Sequence, residues 1–126
     1  SEFEEEQHLA PPGILMIQEA WRPGAVESFR VGAWRLYMIG HAIHSRGDGT
    51  GIAVHQDITV MEWRHVHPRI TMIRVPLGRK HMAIFSACAP CTQRITPQVE
   101  EFYQVLDDAI TNAANKGDVT ILGGDW

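Results

Sequence analysis

The sequence predicts a mixed α/β domain, α+β in arrangement, on three observations. Most of the chain alternates between short apolar runs and turn-forming clusters, the signature of strands joined by tight connections. Only one stretch, near the C-terminus, carries apolar residues at spacings of three and four. The final run, 118–122, is apolar or β-branched from Val119 to Leu122 and leads into Gly123, Gly124 and Asp125. Such a run reads as a strand buried on both faces, with a carboxylate at its mouth.

In chain order, residues 1–12 read as a short acidic helix anchored by Phe3 and Leu9 and ended by Pro11 and Pro12. Residues 14–17 form a second apolar run and a second buried strand, leading to Gln18 and Glu19. A loop with Pro23-Gly24 as its turn signal covers 21–29. Strands are expected over 33–39, which carries aromatics, and over 51–55, with 58–63 pairing nearby. The strand over 69–75 and its return over 80–87 are joined by Pro76-Leu77-Gly78-Arg79, a hairpin-length connection. Thr96 as N-cap and Pro97 at the first helical position open the helix. Val99, Phe102, Leu106, Ile110 and Ala113 give it one apolar stripe, and Gly117 suits its C-terminal cap.

The chain has 126 residues and a formal net charge of −4, which bounds it to one domain or a fragment of one. Glu2, Glu4, Glu5 and Glu6 supply four of its fifteen acids, so the rest is near neutral and the basic footprint of a nucleic-acid binder is absent overall. No apolar run approaches the roughly 18 residues of a membrane helix. Two cysteines, Cys88 and Cys91, do not make a secreted disulfide scaffold, so an intracellular, reducing compartment is expected.

Three predicted strands end in chemically capable residues: Glu19, Cys88 and Asp125. If those strands are neighbours, the side chains converge at one rim. Two carboxylates there suit a hard divalent cation such as Mg²⁺, while the plainer reading is solvated loop acids. Cys88-Ala89-Pro90-Cys91 matches a redox spacing, but the helix opens too late to stabilise a thiolate. Zinc held by both cysteines with His65 and His67 has the right ligand types in the wrong spacing. Two buried thiols are the simpler reading. Ser86 lacks a nucleophile elbow, and Arg46-Gly47-Asp48 reads as a turn.

Several pieces, in this order, carry a resemblance: Ile17-Gln18-Glu19; Gly49-Thr50-Gly51-Ile52-Ala53-Val54; the 69–75 strand; Ser86-Ala87-Cys88-Ala89-Pro90; Glu101-Phe102-Tyr103; and Leu122-Gly123-Gly124-Asp125-Trp126. From about residue 13 to the end, the chain resembles the endonuclease/exonuclease/phosphatase superfamily. Within it, the chain is similar to the endonuclease domain of non-LTR retrotransposons and to craniofacial-development-protein-2-like sequences.

The resemblance implies a two-sheet β-sandwich flanked by helices, here partial and truncated at both ends, with residues 13–126 as the partial domain. It implies cleavage of phosphodiester or phosphomonoester bonds with Mg²⁺ or Mn²⁺. Glu19 maps to a metal ligand and Asp125 to the acid that activates the nucleophile. Trp126 takes the aromatic position of the substrate-binding motif. Cys88 stands where the family commonly has a tyrosine near the phosphate. DNA and the remainder of a polyprotein are the implied partners, with a nuclear location for a retrotransposon product. A phosphatase acting on a small phosphorylated molecule and a degenerate, non-catalytic remnant are the alternatives. A domain divided through its sheets lacks groups needed for preorganisation around a phosphate. The isolated 126 residues are therefore expected to be inactive in plasmid nicking; Mg²⁺-dependent nicking lost on Glu19→Ala would contradict this.

Overall fold

The computed structural model describes residues 13–18, 26–39, 49–90 and 94–125, with Asp125 described by its backbone. The expected acidic helix over 1–12 lies outside them, as do Glu19 and Trp126. Eight strands and one helix follow in chain order: β1 (Ile14–Gln18), β2 (Val26–Val31), β3 (Trp34–Ile39), β4 (Thr50–His55), β5 (Glu62–His67), β6 (Ile70–Leu77), β7 (Lys80–Cys88), α1 (Pro97–Asn115) and β8 (Val119–Asp125). They form two four-stranded sheets, ordered β1-β4-β3-β2 and β5-β6-β7-β8. The mixed α/β class therefore stands, as two small sheets with one helix.

The sheets face each other across an aliphatic core. Ile14 and Met16 of β1 and Ile52 and Val54 of β4 meet Ile73 and Val75 of β6 and Met82 and Ile84 of β7. Alternation along each strand puts these residues on one face. The opposite face of the second sheet, with Ile70, Met72, Ala83 and Phe85, takes the apolar stripe of α1 through Phe102, Leu106 and Ala113. The helix starts where its signals say. Thr96 is the N-cap, its hydroxyl accepting from the Val99 amide at 3.2 Å, and Pro97 opens the first turn. Gly117, at φ +87°, lets the chain leave α1 in a left-handed conformation.

Several sequence expectations need correction. The predicted loop over 21–29 runs into β2, an edge strand whose alternating burial comes from pairing with β3 alone. The strand placed at 58–63 lies at Glu62–His67, so His65 and His67 are strand residues; its polar, half-exposed sequence hides it. Pro76 and Leu77 belong to β6, and only Gly78 and Arg79 turn the hairpin. The terminal strand is not buried on both faces. Among the described residues β8 has one neighbour, β7, and Val119 and Leu122 are 41% and 38% exposed. β7 and β8 are parallel, with α1 as the crossover, so the chain contains one βαβ unit.

The start of β8 is fixed by a forked ion pair. Arg74 Nε and Nη2 donate to Asp118 Oδ2 and Oδ1, each at 2.9 Å, and the Asp118 side chain is 3% exposed. The Arg74 hydrogen bonds hold the Asp118 carboxyl below its ordinary pKa, and burial opposes them. A depressed carboxylate pKa gives stability that is present above the unfolded value and is lost as pH falls through the lower folded value. Asp118→Asn should therefore unfold at lower urea than the parent at neutral pH, with the gap shrinking as pH drops below about 4.

Candidate functional site

The two ends of the sandwich differ. At one end most connections are short: residues 32–33, 78–79 and 116–118 join β2–β3, β6–β7 and α1–β8, while 56–61 joins β4–β5; at the other end only the 68–69 turn between β5 and β6 is that tight. At the other end lie the C-termini of β1, β3, β5, β7 and β8, the N-termini of β2, β4 and β6, and the start of α1. Residues 19–25, 40–49 and 89–96 connect elements there. Long connections carried on a rigid scaffold are where binding and catalytic groups concentrate.

Beneath this end the core changes from aliphatic to polar. Gln18, the last residue of β1, donates from Nε2 to Ser86 Oγ of β7 at 2.9 Å. Ser86 Oγ lies 2.6 Å from Thr50 Oγ1 of β4, and either hydroxyl can donate. Thr50 also reaches the carbonyl of Ile17 at 3.4 Å. Thr50, Ser86 and Thr71 are fully buried. Thr71, in register with Ser86, accepts from Trp63 Nε1 at 2.7 Å. Among the described residues, Gln18 Oε1 is the buried side-chain oxygen left without a hydrogen-bond partner. A shielded acceptor without a donor is costly, so it marks a place where a further donor would be welcome.

Glycine brings β8 to this polar floor. A Cβ on Gly123 would collide with the Met16 sulfur, and one on Gly124, at φ +139°, would run into the backbone of Ala87. Gly124 needs glycine because backbone cannot yield, whereas at Gly123 a larger residue would have to displace the Met16 side chain. Ser86 pairs with Gly123 and Cys88 with Asp125. The strands ending in Gln18, Cys88 and Asp125 thus come to one end of the molecule.

Cys88 itself is buried, 2% exposed. Its amide donates to the carbonyl of Arg69 at 2.9 Å, and Arg69 Nη1 returns a 3.4 Å hydrogen bond to the Cys88 carbonyl. Arg69 was not among the residues singled out in the sequence. Only burial reveals it, since its side chain lies under the rim at 8% exposure. Cys91 lies outside the described residues. His67 Nδ1 accepts the Arg69 amide at 3.0 Å, which leaves its other nitrogen, 3.6 Å from Glu101, to carry the proton. Burial pushes the His67 pKa down, with Glu101 opposing, and favours the neutral ring. His67 thus shapes the β5–β6 turn. Among the described residues no group of three His, Cys, Asp or Glu is poised to hold a metal. No described helix is long and apolar enough to cross a membrane.

Comparison with family models, curated proteins and solved structures finds no match.

The Gln18–Ser86–Thr50 cluster is directly testable. Ser86→Ala removes the shared partner, strands the Gln18 amide and leaves Thr50 only the Ile17 carbonyl, which should cost about 1–3 kcal/mol. Ser28→Ala, at an exposed strand position, should stay within about 0.5 kcal/mol of the parent. Equal unfolding midpoints for the two variants would contradict the cluster's role.

Proposed function

We propose that the chain is part of a Mg²⁺- or Mn²⁺-dependent phosphodiesterase domain of the endonuclease/exonuclease/phosphatase type, a DNA endonuclease of non-LTR retrotransposon origin. One observation carries the reading. The two strands that lead to Glu19 and Asp125 come to one end of the sandwich through β7, which β1 meets by the Gln18–Ser86 hydrogen bond and β8 by parallel pairing. Acids at those two strand ends suit a shared divalent cation.

The surroundings fit such an ion. Mg²⁺ takes oxygen ligands and keeps several waters, and Gln18 Oε1 is a buried acceptor of the kind a metal-bound water would satisfy. In this reading Glu19 and Asp125 would hold the ion, Asp125 would also orient the attacking water and accept its proton, and Trp126 would contact the substrate. The ion would supply neutralisation of charge on the phosphate. Gly123 and Gly124 keep the floor free of side chains, so the backbone itself can approach the substrate. β1 and β8 each have one strand neighbour among the described residues, on the same side of the sandwich. Those adjacent free edges suit completion by further strands, for which the remainder of a polyprotein is the proposed source.

Cys88 favours a second reading. The superfamily's tyrosine would bring a phenol to the phosphate, whereas a thiol buried against Arg69 brings none. A non-catalytic remnant that keeps the fold, and even the cation, is consistent with that.

Mn²⁺ binding followed by electron paramagnetic resonance tests the main reading. Glu19→Ala and Asp125→Ala should each weaken binding by about tenfold or more, while His65→Ala should leave it unchanged. Binding that survives both acid substitutions would refute the shared-ion site.

A further inference from the structure

Away from that end, the inner face of β2 and β3 carries an arrangement that folding alone does not explain. Arg30 and Arg35 are directly opposite each other in the β2–β3 register. Like charges facing across an antiparallel pair repel. Neither guanidinium is answered by a carboxylate among the described residues. Arg30 Nη2 donates to the Gln56 side-chain oxygen at 3.0 Å, and Arg35 Nη1 to Ser28 Oγ at 3.2 Å, both neutral acceptors.

The two arginines line a cavity of about 180 Å³ together with Tyr37, His55 and Gln56, floored by Val54. No carboxylate is among the lining residues; Asp57, beside Gln56 in the chain, is 83% exposed and turned to His55, whose Nδ1 lies 3.4 Å from its carboxylate and 3.2 Å from its amide. His55 is oriented by this contact and by an edge-to-face packing on Trp34 at 5.5 Å. The volume is below the roughly 300–1,000 Å³ of a typical small-molecule pocket, yet it equals the volume of several waters at about 30 Å³ each. That is room for one tetrahedral oxyanion, not for a whole nucleotide. Guanidinium forks match phosphate oxygens in a bidentate manner, and a tyrosine hydroxyl adds a neutral donor.

We infer that Arg30 and Arg35 form a phosphate-binding cradle, separate from the Glu19–Asp125 end and independent of the function proposed there. Its ligand is a phosphate dianion, free or as a terminal phosphoryl group. The cradle lies near the short-turn end, about 13 Å along β3 from Ile39, which borders the polar floor. An anion bridging the pair turns cross-strand repulsion into two charge-assisted contacts.

Thermal unfolding and calorimetric titration of the 126-residue chain with inorganic phosphate, against sodium chloride at matched ionic strength, test this. Phosphate should raise the unfolding midpoint where chloride does not. Arg30→Gln and Arg35→Gln should each weaken phosphate binding by about tenfold or more, and Lys116→Gln should leave it unchanged. Without phosphate, Arg35→Gln should unfold no lower than the parent, because it relieves repulsion. A nucleoside 5′-monophosphate that competes assigns the site to terminal phosphoryl groups, and one that does not assigns it to the free ion. Equal phosphate stabilisation of the Arg30→Gln/Arg35→Gln double variant, or none in the parent, would overturn the cradle. So would a phosphate-free midpoint for Arg35→Gln well below the parent's, which would make the arginines structural.

Discussion

The close approach of β8 to β1 and β7 is the constraint on which the rest of the molecule depends. Through most of the interior the two sheets are held apart by isoleucine, valine and methionine. At one end glycine, serine and threonine replace them, and a glutamine amide crosses from sheet to sheet. Gly123 yields its side-chain volume to Met16, and Gly124 yields its own to the Ala87 carbonyl. The result is a polar floor under one rim, buried and almost fully satisfied. The leftover acceptor on Gln18 points to the chemistry of what belongs above it: something that donates hydrogen bonds.

The division of the molecule into two unlike ends follows from the same frame. The β2–β3 and β6–β7 hairpin turns lie at one end, and an Arg74–Asp118 fork pins the entry of β8 there. The longer connections and the α1 start gather at the other. One parallel strand is what makes this possible. Because β8 returns beside β7 through a helix, its C-terminus emerges next to Cys88 and not at the turn end. An antiparallel final strand would have sent Asp125 to the far side. The Arg30–Arg35 pair is a separate matter. It belongs to β2 and β3 of the first sheet and owes nothing to the polar floor.

Much of this frame was legible in the sequence, and the reasons are physical. The helix announced itself because its N-cap, first-turn proline, apolar stripe and C-terminal glycine are all local signals. β3, β4, β6 and β7 were legible as apolar runs because they are central or well covered. β2 and β5 were hard to place because edge strands need only half an apolar face, and Arg64, His65 and His67 blur the alternation in β5. The terminal strand misled in the other direction: Val119 to Leu122 is apolar enough for a buried strand, yet it sits at an edge. Glu19, Cys88 and Asp125 stood out as chemically capable residues at the ends of apolar runs. Nothing local could reveal the polar floor, since Gln18 and Thr50 stand 68 and 36 residues from Ser86. Arg30 and Arg35 escaped notice for a related reason: only a two-residue turn makes them face each other.

The central claim is that one acid following β1 and one ending β8 share a divalent ion. Anomalous scattering from crystals grown with Mn²⁺ tests it most directly. The account predicts a single strong peak at the loop-bearing end, within about 2.5 Å of carboxylate oxygens from both Glu19 and Asp125. A peak elsewhere, or the two side chains turned to opposite sides of the sandwich, would contradict it.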